Sequence, residues 1–156
     1  MLRARVFARA RVAPWRFPGG FLRAVTVIGA GLTVLPLVIV DARLVPLVWT
    51  GLVLLLEPTN YRRGRPSWLG ALAAGDASLV LALLTSGLVC GVLWEFWNYW
   101  ALTRGTYSVP YVGGVKLFEM PVLGYLGFPP FALECYAMYH WLRGWLGDEG
   151  RGRAVL

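Results

Sequence analysis

Residues 78–102 form the feature that most constrains the fold of this chain: an apolar run whose only charged side chain is Glu95. About 20 consecutive apolar residues cross the hydrocarbon core of a bilayer as one helix. A second run, at 24–40, contains no charged residue. Hydrophobic residues make up 58% of the chain, above the roughly 45–50% of an ordinary soluble domain. We therefore expect an all-α, polytopic membrane protein.

Two weaker segments complete about four expected transmembrane helices. Span 2 is a short run at 44–56, with room to extend to Asn60, and Asp41, Ala42 and Arg43 make the hairpin before it. A single helix over 24–56 would be about 50 Å long with charges at its middle, so the hairpin is favoured.

Span 4 lies within residues 120–146. Pro129 is expected to begin the helix, because proline fits the first helical turn, and 117–128 would be an interfacial or re-entrant entry segment. The domain organisation is then simple: a basic cytoplasmic tail at 1–22, the transmembrane domain at 23–146 and a cytoplasmic tail at 147–156.

Lys and Arg residues are distributed unequally along these segments. If the N-terminus is inside, the cytoplasmic side carries twelve of the 15, and the other side carries only Arg43, Arg104 and Lys116. Because cytoplasmic loops hold the positive excess, we expect an N-in, C-in protein of the cytoplasmic (inner) membrane. The net charge of +7 lies at the edges of apolar runs. It therefore favours membrane lipid headgroups as partners and argues against nucleic acid.

No cofactor or metal is expected from the motifs. The sequence has neither a GK[ST] loop nor a GxGxxG motif in a βα context. Cys90 and Cys135 lie in separate apolar runs without CxxC spacing. They are expected to be buried structural cysteines.

Polar residues inside span 3 are the first candidates for a site, because ionisable residues in spans usually face the protein interior. At about 100° per residue, Glu95, Asn98 and Tyr99 share a face with Gly87 and Gly91. Glycines at this spacing permit close helix packing, so this face should be buried against span 4. The opposite face should meet lipid or headgroups, and comprises Leu93, Phe96, Trp97 and Trp100.

Span 4 adds a second carboxyl, Glu134, which would lie at the depth of Glu95 if the helix begins at Pro129. Two carboxyls in a pocket of low dielectric tend to share a proton, and they could act as an acid–base pair or proton relay. In that catalytic hypothesis, Asn98 orients the substrate. A purely structural role, in which these groups only join helices, stays open.

Further polar and aromatic residues are candidates for substrate binding: Tyr99, Glu119, Tyr136, Tyr139 and His140. Tyr136 and His140 are four residues apart and share one helix face. The single histidine could ligate a haem iron or a chlorophyll magnesium, whereas a hydrogen bond at the membrane interface is the more frequent role of such an imidazole.

Two motifs carry a resemblance: WEFWN at 94–98 and FEMPxxGxxGFPPFALE at 118–134. Over about residues 58–143, the chain resembles a family of uncharacterised bacterial multi-pass membrane proteins. In general arrangement it is also similar to small integral-membrane carotenoid enzymes, the heterodimeric-type lycopene cyclases and carotenoid hydratases. The second resemblance implies membrane-buried acids that act on apolar polyenes.

These observations support two main functions. The first is a membrane-embedded enzyme that acts on an apolar isoprenoid or lipid by carboxyl acid–base chemistry, with aromatic faces stabilising a carbocation. The second is a non-catalytic subunit of a larger membrane complex, including one that binds pigment or lipid. A proton or solute carrier is less favoured, because no inverted repeat is visible.

The topology can be tested by cysteine-accessibility labelling. Cysteines placed near Arg63 and Arg151 should react from the cytoplasmic side, and one placed near Gly113 should react from the opposite side. Labelling of the Gly113 and Arg151 positions from the same side would mean that span 4 does not cross.

Overall fold

The structure is a computed structural model that describes residues 6–39, 41, 44, 46–106 and 115–147. Within these residues the chain is mostly helical, as predicted, with one short β-hairpin. The expected loop around Gly113, the hairpin residues Ala42 and Arg43, and the C-terminal tail lie outside the described residues.

The first two helices are α1 (Gly19–Val38) and α2 (Pro46–Arg62). Helix α1 begins four residues before the predicted domain boundary at residue 23. Helix α2 begins at Pro46, where proline costs no hydrogen bond because the first turn has no intrahelical acceptor for it.

Helix α2 continues past the predicted end of span 2 at residue 56, through Pro58. Pro58 removes only the backbone bond to the carbonyl of Leu54. The next turn is supported by Thr59, whose Oγ1 donates to the carbonyl of Leu55 at 2.8 Å. The helix therefore includes polar residues that the sequence pattern assigned to a loop.

Helices α1 and α2 approach each other closely at two glycines. A Cβ added to Gly29 would lie 2.6 Å from the carbonyl carbon of Leu54, and one added to Gly51 would lie 2.7 Å from the backbone nitrogen of Thr33. Since residue 29 meets residue 54 and residue 33 meets residue 51, the two helices run antiparallel.

The remaining elements follow α2 along the chain. They are helix α3 (Trp68–Ala73), helix α4 (Ser78–Trp100), strands β1 (Lys116–Leu117) and β2 (Met120–Pro121), a 3₁₀ helix (Val122–Gly127) and helix α5 (Phe128–Trp145). Proline occupies the first turn of α5, as predicted. The predicted entry segment is the antiparallel β1–β2 hairpin followed by the 3₁₀ helix.

Helix α5 lies between two long helices. The extensive helix contacts join α1 to α2, α2 to α5, and α5 to α4. Along α5, the ring of Phe131 meets Trp49 near the start of α2 at 6.4 Å, and the carbonyl of Ala137 meets Asn60 near its end. Helices α2 and α5 therefore run in the same direction.

The basic N-terminal segment packs against the turn between α3 and α4. Val12 N donates to the carbonyl of Gly75, and Trp15 N donates to the carbonyl of Leu72, each at 3.1 Å. These bonds give the segment at 10–15 a defined position on the same end of the molecule as the C-terminus of α2.

Two of the described helices, α1 and α4, are long and apolar enough to cross a membrane. Helix α2 has 17 residues, and helix α5 has 18 residues that include Glu134, His140 and Arg143. These two helices fall short in length or apolarity. Much of the outer surface is apolar, and Val27, Leu37 and Val38 of α1 are each more than 70% exposed.

Substitution of one glycine tests the close approach of α1 and α2. Gly29→Leu should lower the free energy of unfolding by about 2 kcal/mol or more, because the added side chain meets backbone that cannot move aside. Gly31→Leu is the matched control on the same helix, since nothing lies within 4 Å of its added Cβ. Denaturant unfolding in detergent measures both. Equal stability of the two variants would contradict the packing.

Candidate functional site

Most of the predicted inward face of α4 is buried, whereas Tyr99, at the end of that face, is 37% exposed. Gly87, Gly91 and Glu95 are buried, and an added Cβ on Gly87 would lie 2.9 Å from the Cβ of Ala132 in α5. On the opposite face, Trp97 and Trp100 are each 69% exposed. The glycine pattern therefore predicted the rotation of this helix correctly.

Glu95 is fully buried where α4 meets the 3₁₀ helix. Tyr125 of the 3₁₀ helix is also buried and interacts electrostatically with Glu95. The hydroxyl of Tyr125 donates to the carbonyl of Leu117 at 3.0 Å, which ties the 3₁₀ helix to strand β1. The immediate surroundings of Glu95 thus come from the entry segment.

Asn98 has a structural role at the end of α4. Its Nδ2 donates to the carbonyl of Gly105, and its Oδ1 accepts from the backbone nitrogen of Gly105, both at 2.8 Å. Both polar atoms of the amide therefore hold the chain where it leaves the helix. A role for Asn98 in orienting a substrate stays a prediction.

Tyr99 and Glu119 belong to a small cluster at the same end of α4. Arg104 forms an ion pair with Glu119 at 3.3 Å and lies over the ring of Tyr99 at 5.8 Å. Phe118, which has a left-handed backbone with φ 59°, packs its ring 5.6 Å from that of Tyr99. This ion pair joins the loop after α4 to the turn between β1 and β2, and the substrate-binding role of Glu119 stays a prediction.

Glu134 does not lie at the depth of Glu95, contrary to the prediction. Gly87 packs against Phe128 and Ala132, so it is level with about residue 130 of α5. Glu95 lies eight residues from Gly87, toward the C-terminal end of α4. Glu134 lies four residues from residue 130, toward the opposite end of this helix pair. At 1.5 Å per residue, the two Cα atoms are about 18 Å apart along the helix axes. This offset is too large for one acid–base site.

Glu134 lies on the side of α5 that faces α2. It is midway between Phe131, whose ring meets Trp49, and Ala137, whose carbonyl accepts from the Nδ2 of Asn60 at 2.8 Å. Glu134 is 3% exposed, and Glu57 and Asn60 of α2 are completely buried. We call these three buried polar residues, Glu57, Asn60 and Glu134, the carboxyl–amide cluster.

Within this cluster, Glu57 is fixed by the start of α3. Its Oε1 accepts from the hydroxyl of Ser67 at 2.6 Å and from the backbone nitrogen of Leu69 at 2.9 Å. Ser67 in turn accepts from the backbone nitrogen of Gly70 at 3.0 Å. The other carboxyl oxygen, Glu57 Oε2, and the amide oxygen, Asn60 Oδ1, are buried and have no hydrogen-bond partner among the described residues.

An apolar groove of about 700 Å³ lies between α4 and α5, on the other side of α5 from the cluster. Trp94, Phe131 and Tyr139, which line it, are each about half exposed or more, so the groove opens on the outer surface. Its lining comprises Leu83, Ser86, Gly87, Cys90 and Trp94 from α4, with Phe128, Phe131, Ala132, Cys135, Tyr136 and Tyr139 from α5. Neither Glu95 nor Glu134 is among them.

Three of the predicted substrate-binding residues lie in this groove or next to it. Tyr136 and Tyr139 line it, whereas His140 lies behind them, with its ring 4.3 Å from that of Tyr136. Cys90 and Cys135 are exposed in the groove wall, so the prediction of buried cysteines is wrong. Both lie on the exposed face of their helices, where a small side chain leaves space for the groove.

No metal-binding group of three or more His, Cys, Asp or Glu residues occurs among the described residues. Comparisons with protein-family models, with curated proteins and with solved structures found no match to this chain. The resemblance based on the WEFWN and FEMPxxGxxGFPPFALE motifs stays an expectation.

Cysteine cross-linking tests the packing of α5 against α2. In a background with Cys90→Ala and Cys135→Ala, the pair Asn60→Cys and Ala137→Cys should form a disulfide under mild oxidation, because the side chain of Asn60 meets the backbone of Ala137. Facing residues of packed helices bring Cα atoms within the roughly 7 Å that a disulfide requires. The pair Glu95→Cys and Glu134→Cys should not cross-link. The reverse result, read on a denaturing gel after proteolysis between the helices, would refute the register.

Proposed function

We propose that this chain is an integral protein of the inner membrane with four spans and both ends in the cytoplasm, and that it binds an apolar chain of the lipid or isoprenoid class between α4 and α5. The apolar groove carries this proposal. Its volume is of the size that ligand pockets commonly have, about 300–1,000 Å³. Its opening lies on the same surface as the exposed apolar side chains of α4 and α5.

Two arguments support α2 and α5 as additional spans. At 1.5 Å per residue, these helices are about 26 and 27 Å long, close to the roughly 30 Å of the hydrocarbon core. Their most costly polar side chains, Glu57, Asn60 and Glu134, are buried. Glu57 is turned toward the start of α3, and Asn60 is turned toward α5. This arrangement accounts for their lower apolarity, since buried polar groups in a span face other helices.

The chemistry of the groove favours an apolar ligand. Most of its lining is aliphatic, aromatic or small, and the exceptions are the hydroxyl groups of Ser86, Tyr136 and Tyr139 and the two thiols. An acyl or polyisoprenoid chain matches this surface. A hydroxyl or carbonyl on the ligand would match the tyrosines. Binding of this kind requires no metal or cofactor.

Binding is better supported than acid–base catalysis. The two carboxyls of the catalytic hypothesis, Glu95 and Glu134, are separated by about 18 Å along the helices. Neither carboxyl lines the groove. The groove therefore supports a protein that holds or presents an apolar molecule.

A second candidate function is a non-catalytic subunit of a larger membrane complex. It is favoured by the aromatic surface of α4, where Trp94, Trp97 and Trp100 are each at least 65% exposed. Large aromatic side chains are typical of the centres of protein interfaces, although tryptophan is also enriched at the membrane–water boundary.

A groove-filling substitution tests lipid binding. Cys90→Trp should weaken binding of a fluorescent polyene fatty acid to the purified full chain by at least tenfold, because the indole occupies the volume that the ligand needs. Tenfold corresponds to about 1.4 kcal/mol. The measurement is a fluorescence titration in detergent micelles, with native mass spectrometry to count retained lipids.

Leu93→Trp is the matched control, since Leu93 is exposed on α4 and lies outside the groove lining. It should bind the probe as the unsubstituted chain does. Equal binding by the Cys90 and Leu93 variants would contradict binding in the groove. Co-purification of the unsubstituted chain with stoichiometric membrane subunits in place of lipid would favour the second function.

A further inference from the structure

A guanidinium lies at one end of the apolar groove. Arg143 Nη1 donates to the hydroxyl of Tyr139 at 3.2 Å, and Tyr139 lines the groove. The Cζ of Arg143 also lies 5.5 Å from the centre of the Tyr139 ring. At about 100° per residue, Arg143 falls on the same face of α5 as the groove-lining Ala132 and Tyr136. The groove and this cation are therefore neighbours on one helix face.

The register between α4 and α5 places this cation where α4 begins. Gly87 is level with about residue 130 of α5, and the two helices run antiparallel. Tyr139 lies nine residues beyond that level, and Ser78, the first residue of α4, lies nine residues before Gly87. Arg143 is one turn further along α5, so it lies past the end of α4. The groove thus has apolar walls and a charged group at its end.

Further guanidinium groups contact the same end of α5. The Cζ of Arg63 lies 5.8 Å from the ring centre of Trp145, and Arg65 donates to the carbonyl of Trp141 at 3.2 Å. Asp76, which precedes α4, has its Oδ1 engaged by a backbone nitrogen in the first turn of that helix at 2.9 Å. Among the described residues, positive charge therefore prevails at this end, and such a potential attracts an anionic ligand group.

The opposite end of the groove is apolar. It continues into a second cavity of about 270 Å³, with which it shares Trp94, Phe128 and Phe131. The rest of that cavity is lined by Trp49, Met120, Gly124 and Gly127. From Phe128 to Arg143 the distance along α5 is about 22 Å, whereas one leaflet of the hydrocarbon core measures about 15 Å. A ligand that extends over this distance has a long chain.

We propose that the ligand of the groove is a long single-chain amphipath with an anionic head, a carboxylate or a phosphate monoester, held by Arg143 and Tyr139. This inference rests on the proposed function and adds the head group and the orientation of the ligand. A guanidinium forms charge-assisted and often bidentate hydrogen bonds with either anion. Because the Tyr139 hydroxyl accepts from Arg143, its own proton can be donated to the same anion. The apolar tail runs toward Phe128.

Three probes that share one fluorescent polyene chain test the head group: the acid, the phosphate monoester of the alcohol, and the alcohol itself. The purified full chain is titrated in nonionic detergent at a pH that ionises the acid, with correction for partition of each probe into protein-free micelles. At least one anionic probe should bind tenfold or more tightly than the alcohol. The tighter of the two anions identifies the head group.

Arg143→Gln should remove the preference for the anionic probe and leave binding of the alcohol unchanged, which also shows that the variant is folded. Arg143→Lys should retain part of the preference, because it keeps the charge and loses the bidentate geometry. Arg62→Gln is the matched control. It removes the same charge from the exposed end of α2, on the other side of α5, and should keep the full preference.

The outcomes separate this inference from the proposed function. Equal affinity of the unsubstituted chain for all three probes would overturn the anionic head and leave groove binding intact. A preference that persists in Arg143→Gln, or that Arg62→Gln reduces equally, would also overturn the role of Arg143. Failure of all three probes to bind would overturn the proposed function and this inference together.

Discussion

The close packing of α5 against two other helices determines where the polar side chains of this protein lie. On one side, the carbonyl of Ala137 accepts from Asn60 and holds α5 parallel to α2. On the other side, Gly87 and Gly91 let α4 approach Phe128 and Ala132. The contact with Asn60 uses a backbone carbonyl of α5, and the contact at Gly87 and Gly91 leaves no space for a side chain. Neither contact therefore tolerates a shift of the helices. The positions of Glu95 and Glu134 follow from these two contacts.

The two sides of α5 consequently differ in chemistry. The side toward α2 contains Glu134, which is buried and therefore protected from the outer surface. The side toward α4 is apolar and opens outward as the groove that contains Tyr136 and Tyr139. In the proposed membrane setting, one helix thus separates a lipid-binding surface from a buried polar face. No residue of the carboxyl–amide cluster lines the groove.

Local patterns predicted part of this arrangement. Glycine spacing gave the buried face of α4, and proline chemistry gave the start of α5 near Pro129. The sequence pattern ended span 2 before Pro58, because proline usually interrupts a helix, and so Glu57 and Asn60 were overlooked. The depth of Glu134 relative to Glu95 depends on the register between α4 and α5. No local pattern encodes that register, and the pairing with Glu95 was wrong for this reason.

The central claim is that α5 crosses the membrane with Glu134 turned toward α2. A spin-label scan along residues 129–145, in a cysteine-free chain in lipid nanodiscs, measures it directly. Collisions with oxygen should peak with a period of about 3.6 residues at Phe131, Cys135, Tyr139 and Leu142, which are exposed, and should be lowest at Glu134 and Ala137, which are buried. Collisions with a water-soluble nickel complex should stay low through the middle of the helix. High collision rates with the nickel complex at every turn of one face would place α5 on the membrane surface and contradict the account.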